Sequence, residues 1–494
     1  MWFAFNAGAE QKQLAMKGKA FSVIFLFFLQ SVSGQRNALE SLLADSSMAG
    51  ASTSICIINT SDNNTAFEYN SNQSLTPASI QKLITAAAAL ELLGGDHVFT
   101  TQAGYSGTID KRTGVLTGNI ILKGGGDPSL GSEYFRDHYG KFTERWITAL
   151  KNAGIKKVEG GVIADDSVYD YQPVPSLWVW EDIGNYYGAG VYGLSVFDNS
   201  FEIHFRTSGE GSVPVITRVI PAICQPELTN MLTASGTTDK GYVFSAPYNS
   251  YAWIAGTIPV NRPDFILRAS MTDPPLVLAR MVNLMLDSAG ITTTSAPSTV
   301  RILKPDTAGE FIVVDEVKSP PLKDIVRVMN HESVNLYAEH LVKELGRVRM
   351  NTGTTTAGTE VIEKFLPGSG IDTRGIFLED GSGLSPKNAV TSKGMAELLS
   401  FMKKDPEKFS AFYNSLPEAG KAGTLKYYFR DPVFDSNLRA KSGSMTRVRS
   451  YSGYFKTRSG KEMAFCIIVN NFSGSHQIII KGIEEILKET IIRN

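Results

Sequence analysis

The amino-acid sequence predicts a mixed α/β fold of the α+β class, in which one long β-rich insertion interrupts a domain built from strands and helices. Strand-like runs lie near both ends of the chain, at 51–59, 447–456 and 462–470. Helical periodicity dominates between 322 and 403, and short strands with Gly-rich turns fill most of the stretch from 99 to 317. A chain of 494 residues is also long enough for two or three domains, because single cores stop growing near ~250–300 residues.

In chain order, the elements begin with the strand at 51–59, a polar turn and a second strand at 66–69. The run from Ile80 to Leu93 is apolar and Ala-rich and ends at Gly94-Gly95, which predicts a buried helix with a glycine stop. Another helix is expected inside the β-rich region at Phe142–Ala153. Beyond two prolines the predicted helices are Leu322–Met329, Val334–Leu345, Gly358–Phe365 and Gly394–Lys403, and a last helix closes the chain.

These elements predict a discontinuous domain made of residues 35–98 and 318–494, with an inserted β-rich domain or domains at 99–317. A connection of this length cannot be a loop, since structureless loops longer than about 12–15 residues are uncommon. We therefore expect the insertion to fold as one or two domains inserted into the other one.

Composition and charge exclude several classes of protein. Hydrophobic residues make up 43% of the chain, enough for a large core, so neither wholesale disorder nor a coiled coil fits. The 48 basic and 49 acidic residues nearly cancel, whereas a nucleic-acid-binding protein would normally carry a basic face. The three cysteines and the histidines show no zinc-ligand spacing, and no phosphate-binding or dinucleotide fingerprint is present. We therefore expect no nucleic-acid partner, no metal site and no cofactor.

The three cysteines are too few for a disulfide framework. Cys56 and Cys466 each lie within an apolar strand-like run, which favours buried thiols that pack as small hydrophobic side chains. The alternative, in an exported protein, is an oxidised pair between these two residues. Cys224 has no obvious partner.

Residues 1–34 have the pattern of a secretory signal peptide. Two lysines precede an unbroken apolar run at 20–29, and small residues follow up to Gly34, where we expect cleavage. The run is too short to span a bilayer, which takes about 20 apolar residues, and no later stretch is long enough. We expect an exported, periplasmic protein that is soluble after cleavage, with Met16 a candidate for the true start. The alternative is a buried N-terminal helix.

The first motif with chemical potential is Ser79-Ile80-Gln81-Lys82 at the start of the Ala-rich helix. Residues three apart share one face of a helix, so the Lys82 amine can reach the Ser79 hydroxyl. Burial would lower the pKa of Lys82 and allow it to act as a neutral base for a serine nucleophile. The pattern recurs at Ser400–Lys403, where the lysine is expected to be solvated. The apolar surroundings of Lys82 distinguish the first copy, because burying an unexplained lysine is costly.

Two further motifs follow. Ser333-Val334-Asn335 precedes an apolar helix, and its alternative interpretation is helix capping. Lys441-Ser442-Gly443 precedes a strand-like run, whereas similar tripeptides elsewhere in the chain are best interpreted as hairpin turns. Each motif alone is weak evidence for a catalytic site.

The order of these motifs carries more weight, since Ser-x-x-Lys, Ser-x-Asn and Lys-Thr/Ser-Gly are the signature set of penicillin-binding proteins and serine β-lactamases. The chain resembles the serine D-alanyl-D-alanine carboxypeptidases/endopeptidases with a large inserted region, among the low-molecular-mass penicillin-binding proteins. Ser442 stands where Thr is usual in that family, and Gly190 where Pro is more familiar. Segments similar to the family pattern extend over roughly 50–475 and include Thr76–Ser79, Leu116–Asn119, Gly125–Pro128, Trp180–Ala189 and Asp380–Ser385.

The resemblance implies a penicillin-binding-protein/β-lactamase-like transpeptidase domain, an antiparallel sheet flanked by helices, with the long insertion. It implies an enzyme that cleaves D-Ala-D-Ala in peptidoglycan stem peptides, as carboxypeptidase and/or endopeptidase, through an acyl-serine intermediate. It also implies that β-lactam antibiotics inhibit the enzyme covalently. Which of the two activities dominates, which diamino acid the substrate carries and how many subunits assemble are left open.

Carried over residue by residue, the resemblance assigns five catalytic residues. Ser79 is the nucleophile and Lys82 its base, while Ser333 relays a proton to the leaving amine. Asn335 orients Lys82 and the substrate amide, and Lys441 supplies a fixed positive charge.

Three neighbouring residues are assigned to substrate binding: Ser442, Gly443 and Ser444. Ser442 is expected to donate a hydrogen bond to the terminal carboxylate of the substrate. The backbone N–H groups of Ser79 and Ser444 are expected to form the oxyanion hole.

Two other functions remain as alternatives. A serine β-lactamase shares the fold, but the roughly 250 residues between Lys82 and Ser333 disfavour the compact β-lactamase arrangement. A non-catalytic peptidoglycan-binding protein is disfavoured because all five catalytic residues are present.

Three other segments have structural interpretations. Asp380-Gly381-Ser382-Gly383 is typical of a tight turn, with direct catalysis by Asp380 as the alternative. The aromatic residues Trp178, Trp180, Tyr186 and Tyr187 are interpreted as core packing, with a sugar-stacking surface as the alternative. The glycine run at 124–126 is interpreted as a turn.

Overall fold

The structure is a computed structural model that describes residues 34–224, 226–303 and 310–493. The predicted signal peptide lies outside the described residues, apart from Gly34. Among the helices within the described ranges, none is long and apolar enough to cross a membrane.

Strands are numbered here in chain order. They are β1 (Ser52–Asn59), β2 (Thr65–Tyr69), β3 (Thr100–Asp110), β4 (Val115–Lys123), β5 (Lys157–Glu159), β6 (Val162–Asp165), β7 (Ser200–Arg206), β8 (Val215–Ile220), β9 (Glu227–Ala234), β10 (Lys240–Phe244), β11 (Tyr251–Ile258), β12 (Phe265–Ser270), β13 (Thr292–Thr293), β14 (Ser298–Thr299), β15 (Phe311–Lys318), β16 (Arg439–Met445), β17 (Val448–Lys456) and β18 (Glu462–Asn470).

The α-helices are numbered in the same way, and the first is described from residue 34 onward. They are α1 (34–43), α2 (Lys82–Leu92), α3 (Arg136–Tyr139), α4 (Phe142–Asn152), α5 (Trp180–Ile183), α6 (Pro274–Ser288), α7 (Val300–Leu303), α8 (Leu322–His331), α9 (Asn335–Met350), α10 (Thr355–Gly368), α11 (Ser392–Met402), α12 (Pro406–Asn414) and α13 (His476–Arg493).

Strands from both ends of the chain form one antiparallel sheet of five strands, in the order β16-β17-β18-β1-β2. Successive residues of its central strands alternate between two hydrophobic clusters, since side chains of a strand point to opposite faces. Cys56 and Ile58 pack with Leu399 of α11, whereas Ile55 and Ile57 pack in the cluster that includes α13. Helices therefore cover both faces of an antiparallel sheet, and the predicted α+β class is confirmed.

The thiols of Cys56 and Cys466 are free, although the two residues lie directly opposite each other on β1 and β18. Both side chains are buried, and burial raises the pKa of the Cys56 thiol to about 12. This geometry agrees with the interpretation as packed, uncharged thiols. Cys224 is also free.

Helix α2 runs through the middle of the large core. Nine of its eleven residues are buried, among them the four consecutive alanines at 86–89. Small side chains allow neighbouring helices to approach closely, and α2 contacts α8, α9, α11 and α12. The helix therefore holds its first residue, Lys82, within the protein interior.

The strands between Thr100 and Lys318 pair only among themselves within the described residues. Five of them follow the order β13-β5-β4-β3-β15, with β6 paired to β4 and β14 paired to β6. Two three-stranded sheets, β10-β11-β9 and β12-β7-β8, enclose a separate hydrophobic cluster that includes Ile203, Ile254 and Leu267.

Helix α9 connects this inserted region to the rest of the fold through buried polar contacts. Lys343 Nζ donates to the Asp170 carboxylate at 2.6 Å, and His340 Nδ1 lies 2.9 Å from the carbonyl oxygen of Gly126. These contacts fix α9, and hence its N-terminal end, relative to the segments that follow β4 and β6 of the inserted sheet.

Candidate active site

Ser79 lies in a 3₁₀ turn, Ala78–Gln81, that leads directly into α2. The preceding residue, Ala78, has a φ of 49°, in the left-handed region that favours glycine. Such strain is costly for a residue with a side chain and clusters at functional sites. The turn leaves Ser79 half-buried while Lys82, three residues later, is fully buried.

The buried amine of Lys82 contacts three oxygen atoms. Its Nζ lies 3.0 Å from Ser79 Oγ, 2.5 Å from Asn335 Oδ1 and 2.8 Å from the carbonyl oxygen of Ser382. Burial lowers the pKa of Lys82 to about 7, although the charges of Asp380 and Glu339 act in the opposite direction. A neutral amine at hydrogen-bond distance from a serine hydroxyl can accept its proton near neutral pH.

Ser333 and Asn335 lie at the beginning of α9, where the chain turns sharply. Ser333 has a φ of 60°, and Asn335 is the first residue of the helix. The Asn335 amide donates through Nδ2 to the carbonyl oxygen of Tyr187 at 2.8 Å, which connects the helix to the inserted region. Helix capping is wrong as the interpretation of this motif, because the N-cap residue is Val334 and no side chain caps the helix.

Lys441 lies on β16 with no exposed surface, and its ammonium group reaches the second motif. Lys441 Nζ donates to Ser333 Oγ at 2.8 Å and to the carbonyl oxygen of Ser442 at 2.7 Å. Burial and the nearby charges of Lys82 and Arg449 hold the pKa of Lys441 well below its usual value. The lowered pKa of Lys441 does not support the expectation that this residue carries a fixed positive charge.

The hydroxyl of Ser442 donates to Thr424 Oγ1 at 2.9 Å, and Ser444 is exposed further along the same strand. Gly443, between them, faces the 3₁₀ turn that carries the nucleophile. A methyl group on Gly443 would lie 3.0 Å from the backbone nitrogen of Ser79 and only 2.6 Å from the carbonyl oxygen of Pro77. Glycine therefore permits the close approach of β16 to Ser79.

Substitution of Gly443 by alanine is expected to push β16 away from the nucleophile. The added methyl would lie 2.2 Å from Ser450 Oγ, closer than real contacts allow, so overpacking should lower the free energy of unfolding by about 1–3 kcal/mol. Urea unfolding and the rate of penicillin labelling would measure the two consequences. Gly50→Ala is the matched control, because no atom lies within 4 Å of the added methyl, and it should change neither quantity. A Gly443→Ala variant as stable and as reactive as the wild type would contradict this account.

The structure thus brings the five predicted catalytic residues into two hydrogen-bonded groups, Ser79–Lys82–Asn335 and Ser333–Lys441, which Ser333 and Asn335 place next to each other at the start of α9. The second Ser-x-x-Lys copy has different partners. Lys403 pairs with Glu462, and Ser400 Oγ donates to Asn63 Oδ1 at 2.5 Å.

Several residues at the site were absent from the predicted set: Tyr187, Glu339, Ser382 and Thr424. Ser382 and Tyr187 contribute backbone carbonyl groups, which leave no signal in residue type. Glu339 left no distinctive signal either, because the same helix also carries Lys343 and Glu344, and only the structure shows that its first twelve residues are all buried.

The Asp380 carboxylate stabilises a turn. Its carboxylate accepts hydrogen bonds from the backbone nitrogens of Gly383 and Ser385, both at 2.7 Å, and from Trp178 Nε1 at 2.8 Å. These contacts agree with the interpretation of Asp380–Gly383 as a tight turn.

Core packing is the correct interpretation for Trp178, which is buried, but it is wrong for Trp180 and Tyr186, which are 47% and 52% exposed.

No group of His, Cys, Asp or Glu side chains in the described part of the chain is arranged to hold a metal ion. The side chains that the site does bring together are those of serine, lysine and asparagine.

Comparisons with known proteins find relatives over most of the chain. Residues 35–489 match the D-Ala-D-Ala carboxypeptidase 3 (S13) family. A D-alanyl-D-alanine carboxypeptidase of Actinomadura sp. is 29% identical over 462 residues, which cover 90% of this chain and 82% of that protein. A D-alanyl-D-alanine carboxypeptidase (DacB) of Haemophilus influenzae is 25% identical over 434 residues, 86% of each chain.

The fold has a counterpart among solved structures. The crystal structure of penicillin binding protein 4 (dacB) from Haemophilus influenzae matches with a TM-score of 0.77 and 23% identity, over 89% of this chain and 96% of that one. This likeness confirms the predicted penicillin-binding-protein fold with its inserted region. From the family match over nearly the whole described chain, we conclude that the protein belongs to the D-Ala-D-Ala carboxypeptidase 3 (S13) family of serine peptidases.

Proposed function

We propose that this peptidase removes the terminal D-alanine from peptidoglycan stem peptides, or cleaves their cross-links, through an acyl-enzyme on Ser79. The observation that carries the proposal is the contact between the fully buried Lys82 amine and Ser79 Oγ at 3.0 Å. A lysine with a pKa of about 7 is a competent base at neutral pH, because a large fraction of it is then unprotonated.

In the proposed acylation step, Ser79 Oγ attacks the carbonyl carbon of the penultimate D-Ala while Lys82 takes the hydroxyl proton. The tetrahedral intermediate then collapses, the C–N bond breaks and an ester to Ser79 remains. The leaving amine takes up the proton that Lys82 removed, which is relayed through the Ser333 hydroxyl, and Lys82 is neutral again. The Ser333 hydroxyl accepts a hydrogen bond from Lys441 at 2.8 Å. Water hydrolyses the ester, releases the shortened peptide and returns the proton balance to its starting point.

Substrate binding is proposed for the strand that carries Ser442, Gly443 and Ser444. The Ser442 hydroxyl and the Lys441 amine lie on the same strand, where we expect them to receive the terminal carboxylate of the substrate. That carboxylate would raise the pKa of Lys441, because an opposite charge nearby favours the charged form. Lys441 would then be charged when substrate is bound. The backbone N–H groups of Ser79 and Ser444 are proposed as the oxyanion hole, each worth about 10²–10³ in rate if they behave as in other acyl-transfer enzymes.

Acylation is expected to depend on pH through Lys82. Only the neutral amine accepts a proton, so the second-order rate of penicillin acylation should fall about tenfold for each pH unit below about 7 and level off above it. Stopped-flow acylation between pH 5 and 9 measures this profile. A rate that stays constant from pH 5 to 7 would contradict the assignment of Lys82 as the base.

Fluorescent penicillin separates the proposed function from its alternatives. A stable adduct on the wild type, absent from Ser79→Ala, together with release of D-Ala from a pentapeptide, would support the carboxypeptidase. Adduct lost within seconds would favour a serine β-lactamase. Absence of any adduct on the wild type would favour a non-catalytic peptidoglycan-binding protein.

We further propose that the protein is exported to the periplasm, where peptidoglycan lies, and that its signal peptide ends near residue 34. We also propose that residues 35–98 and 318–494 form a discontinuous catalytic domain and that 99–317 form the insertion. The five-stranded sheet supports this division, because all its strands come from the two outer segments. β-Lactam antibiotics are proposed as covalent inhibitors, which agrees with a solved structure of the Haemophilus influenzae penicillin binding protein 4 in complex with a β-lactam.

A further inference from the structure

The turn at Asp380–Gly383 is held from two sides by side chains of the helices around it. On one side, α2 and the turn that precedes it donate to three successive carbonyl oxygens. Gln81 Nε2 donates to the carbonyl of Asp380 at 2.5 Å, Thr85 Oγ1 to that of Gly381 at 2.7 Å and Lys82 Nζ to that of Ser382 at 2.8 Å.

On the other side, a single buried carboxylate of α9 receives the N–H groups of the same turn. Glu339 accepts from the backbone nitrogen of Ser382 at 2.8 Å and from that of Gly381 at 3.0 and 3.1 Å. A methyl group on Gly381 would lie 2.4 Å from Val342 Cγ2, so the turn packs directly against α9. Glu339 is 1% exposed, and burying a carboxylate is costly unless hydrogen bonds compensate.

The position of the Ser382 carbonyl determines the direction of the Lys82 amine. A neutral lysine amine has two N–H bonds and one lone pair. Asn335 Oδ1 at 2.5 Å and the Ser382 carbonyl at 2.8 Å are both acceptors, and they can take both N–H bonds. The lone pair then points to the third neighbour, Ser79 Oγ, which is the geometry that proton abstraction needs.

We propose that Glu339 is a positioning residue for acylation, because its carboxylate anchors the 380–383 turn so that the Ser382 carbonyl aims the Lys82 lone pair at Ser79. The inference rests on the proposed function, since it takes Lys82 as the base. Glu339 itself touches neither Ser79 nor a substrate atom.

Charge gives Glu339 only a small additional effect on Lys82 near neutral pH. The charged groups that act on Lys82 are Asp380 in the turn and Glu339 on α9, while Lys441 on β16 has its own pKa lowered by burial and by the charge of Lys82. The two carboxylates raise the pKa of Lys82 against the effect of burial, and burial together with the charge of Asp380 raises the pKa of Glu339 to about 8. A carboxyl group with this pKa is mostly protonated at pH 7, so its replacement by Gln should lower the pKa of Lys82 only slightly.

The test is the pH profile of penicillin acylation in Glu339→Gln, measured by the rate of labelling, with the labelled fraction reporting how much protein is folded. Gln keeps one acceptor oxygen and removes the charge. We expect acylation about 10–100-fold slower at pH 7 at unchanged labelled fraction, with a profile midpoint less than about half a pH unit lower. Glu339→Asp keeps the charge but is shorter, so it should slow acylation without moving the midpoint.

Glu344→Gln is the matched control, because Glu344 is a fully buried carboxylate on the same helix whose partners are Arg347, His97 and Tyr169. It should acylate within about twofold of the wild type, with the same midpoint. Equal losses in Glu344→Gln and Glu339→Gln would overturn the inference, since a general loss of stability would explain both. A wild-type rate and midpoint in Glu339→Gln would overturn it too.

If Glu339→Gln yields no folded protein, Glu339→Asp decides: slower acylation at an unchanged midpoint supports the inference, and a wild-type rate overturns it. Failure of the proposed function gives a different result, because wild-type protein would then take up no penicillin. The inference about Glu339 fails by itself when the wild type is labelled and the Glu339 variants are labelled equally fast.

Discussion

The Ser79→Ala variant is expected to form no covalent adduct with penicillin and to release D-Ala from a pentapeptide about 10⁶-fold more slowly than the wild type. The substitution removes the only atom that is proposed to become acylated, whereas the half-buried position tolerates the smaller side chain. Intact-mass measurement after incubation with benzylpenicillin detects the adduct, and chromatography of released D-Ala detects turnover.

Ser400→Ala provides the matched control for this variant. Ser400 belongs to the second Ser-x-x-Lys sequence but donates to Asn63, away from the candidate site. We expect full labelling and unchanged turnover. Labelling that persists in Ser79→Ala would show that another residue is acylated and would refute the assignment of the nucleophile.

The second large effect is expected for Lys82→Met, which keeps the length of the side chain but removes the amine. Acylation by penicillin should slow by about 10²–10⁴-fold, the usual contribution of a positioned general base. The variant should also lose the decline in rate below pH 7, because the group that titrates there is gone. Stopped-flow acylation across pH 5–9 measures both changes.

Lys403→Met is the corresponding control, because Lys403 is the lysine of the second Ser-x-x-Lys copy and pairs with Glu462. The Lys403 side chain is 20% exposed and also donates to Thr60 Oγ1 at 3.0 Å, so we expect the free energy of unfolding to fall by about 1 kcal/mol and acylation to stay close to the wild-type rate. Acylation of Lys82→Met at the wild-type rate would mean that the proton of Ser79 leaves by another route.

The contact between Ser79 and Lys82 could be predicted from the sequence, because helical spacing alone brings residues three apart to one face. The contact between Lys441 and Ser333 could not be derived in this way, since 108 residues separate them along the chain. Only the order of the motifs and the resemblance to a known family indicated that these residues meet.

What the sequence could not predict depends on tertiary packing. The carbonyl of Ser382 reaches Lys82 because the turn is clamped between α2 and α9, and a backbone carbonyl has no signature in residue type. The aromatic residues illustrate the same limit. Trp178 and Trp180 are two residues apart, yet the first is buried against Asp380 and the second is 47% exposed.

The protonation of Lys441 is a third feature that the sequence could not predict. Resemblance to the family implied a fixed positive charge, whereas full burial next to Lys82 and Arg449 lowers its pKa. A sequence motif indicates where a lysine lies but does not specify its protonation, which depends on the dielectric and the charges around it. This is also why the role of Glu339 becomes visible only in the folded protein.

The most direct test of the account is a titration of D-Ala release from a pentapeptide against benzylpenicillin, followed by peptide mapping of the inhibited enzyme. We expect release by the wild type to fall to zero at one equivalent of penicillin, with the adduct located on Ser79. Release that continues after stoichiometric labelling, or an adduct on any other residue, would contradict the claim that Ser79 carries the acyl group during peptide cleavage.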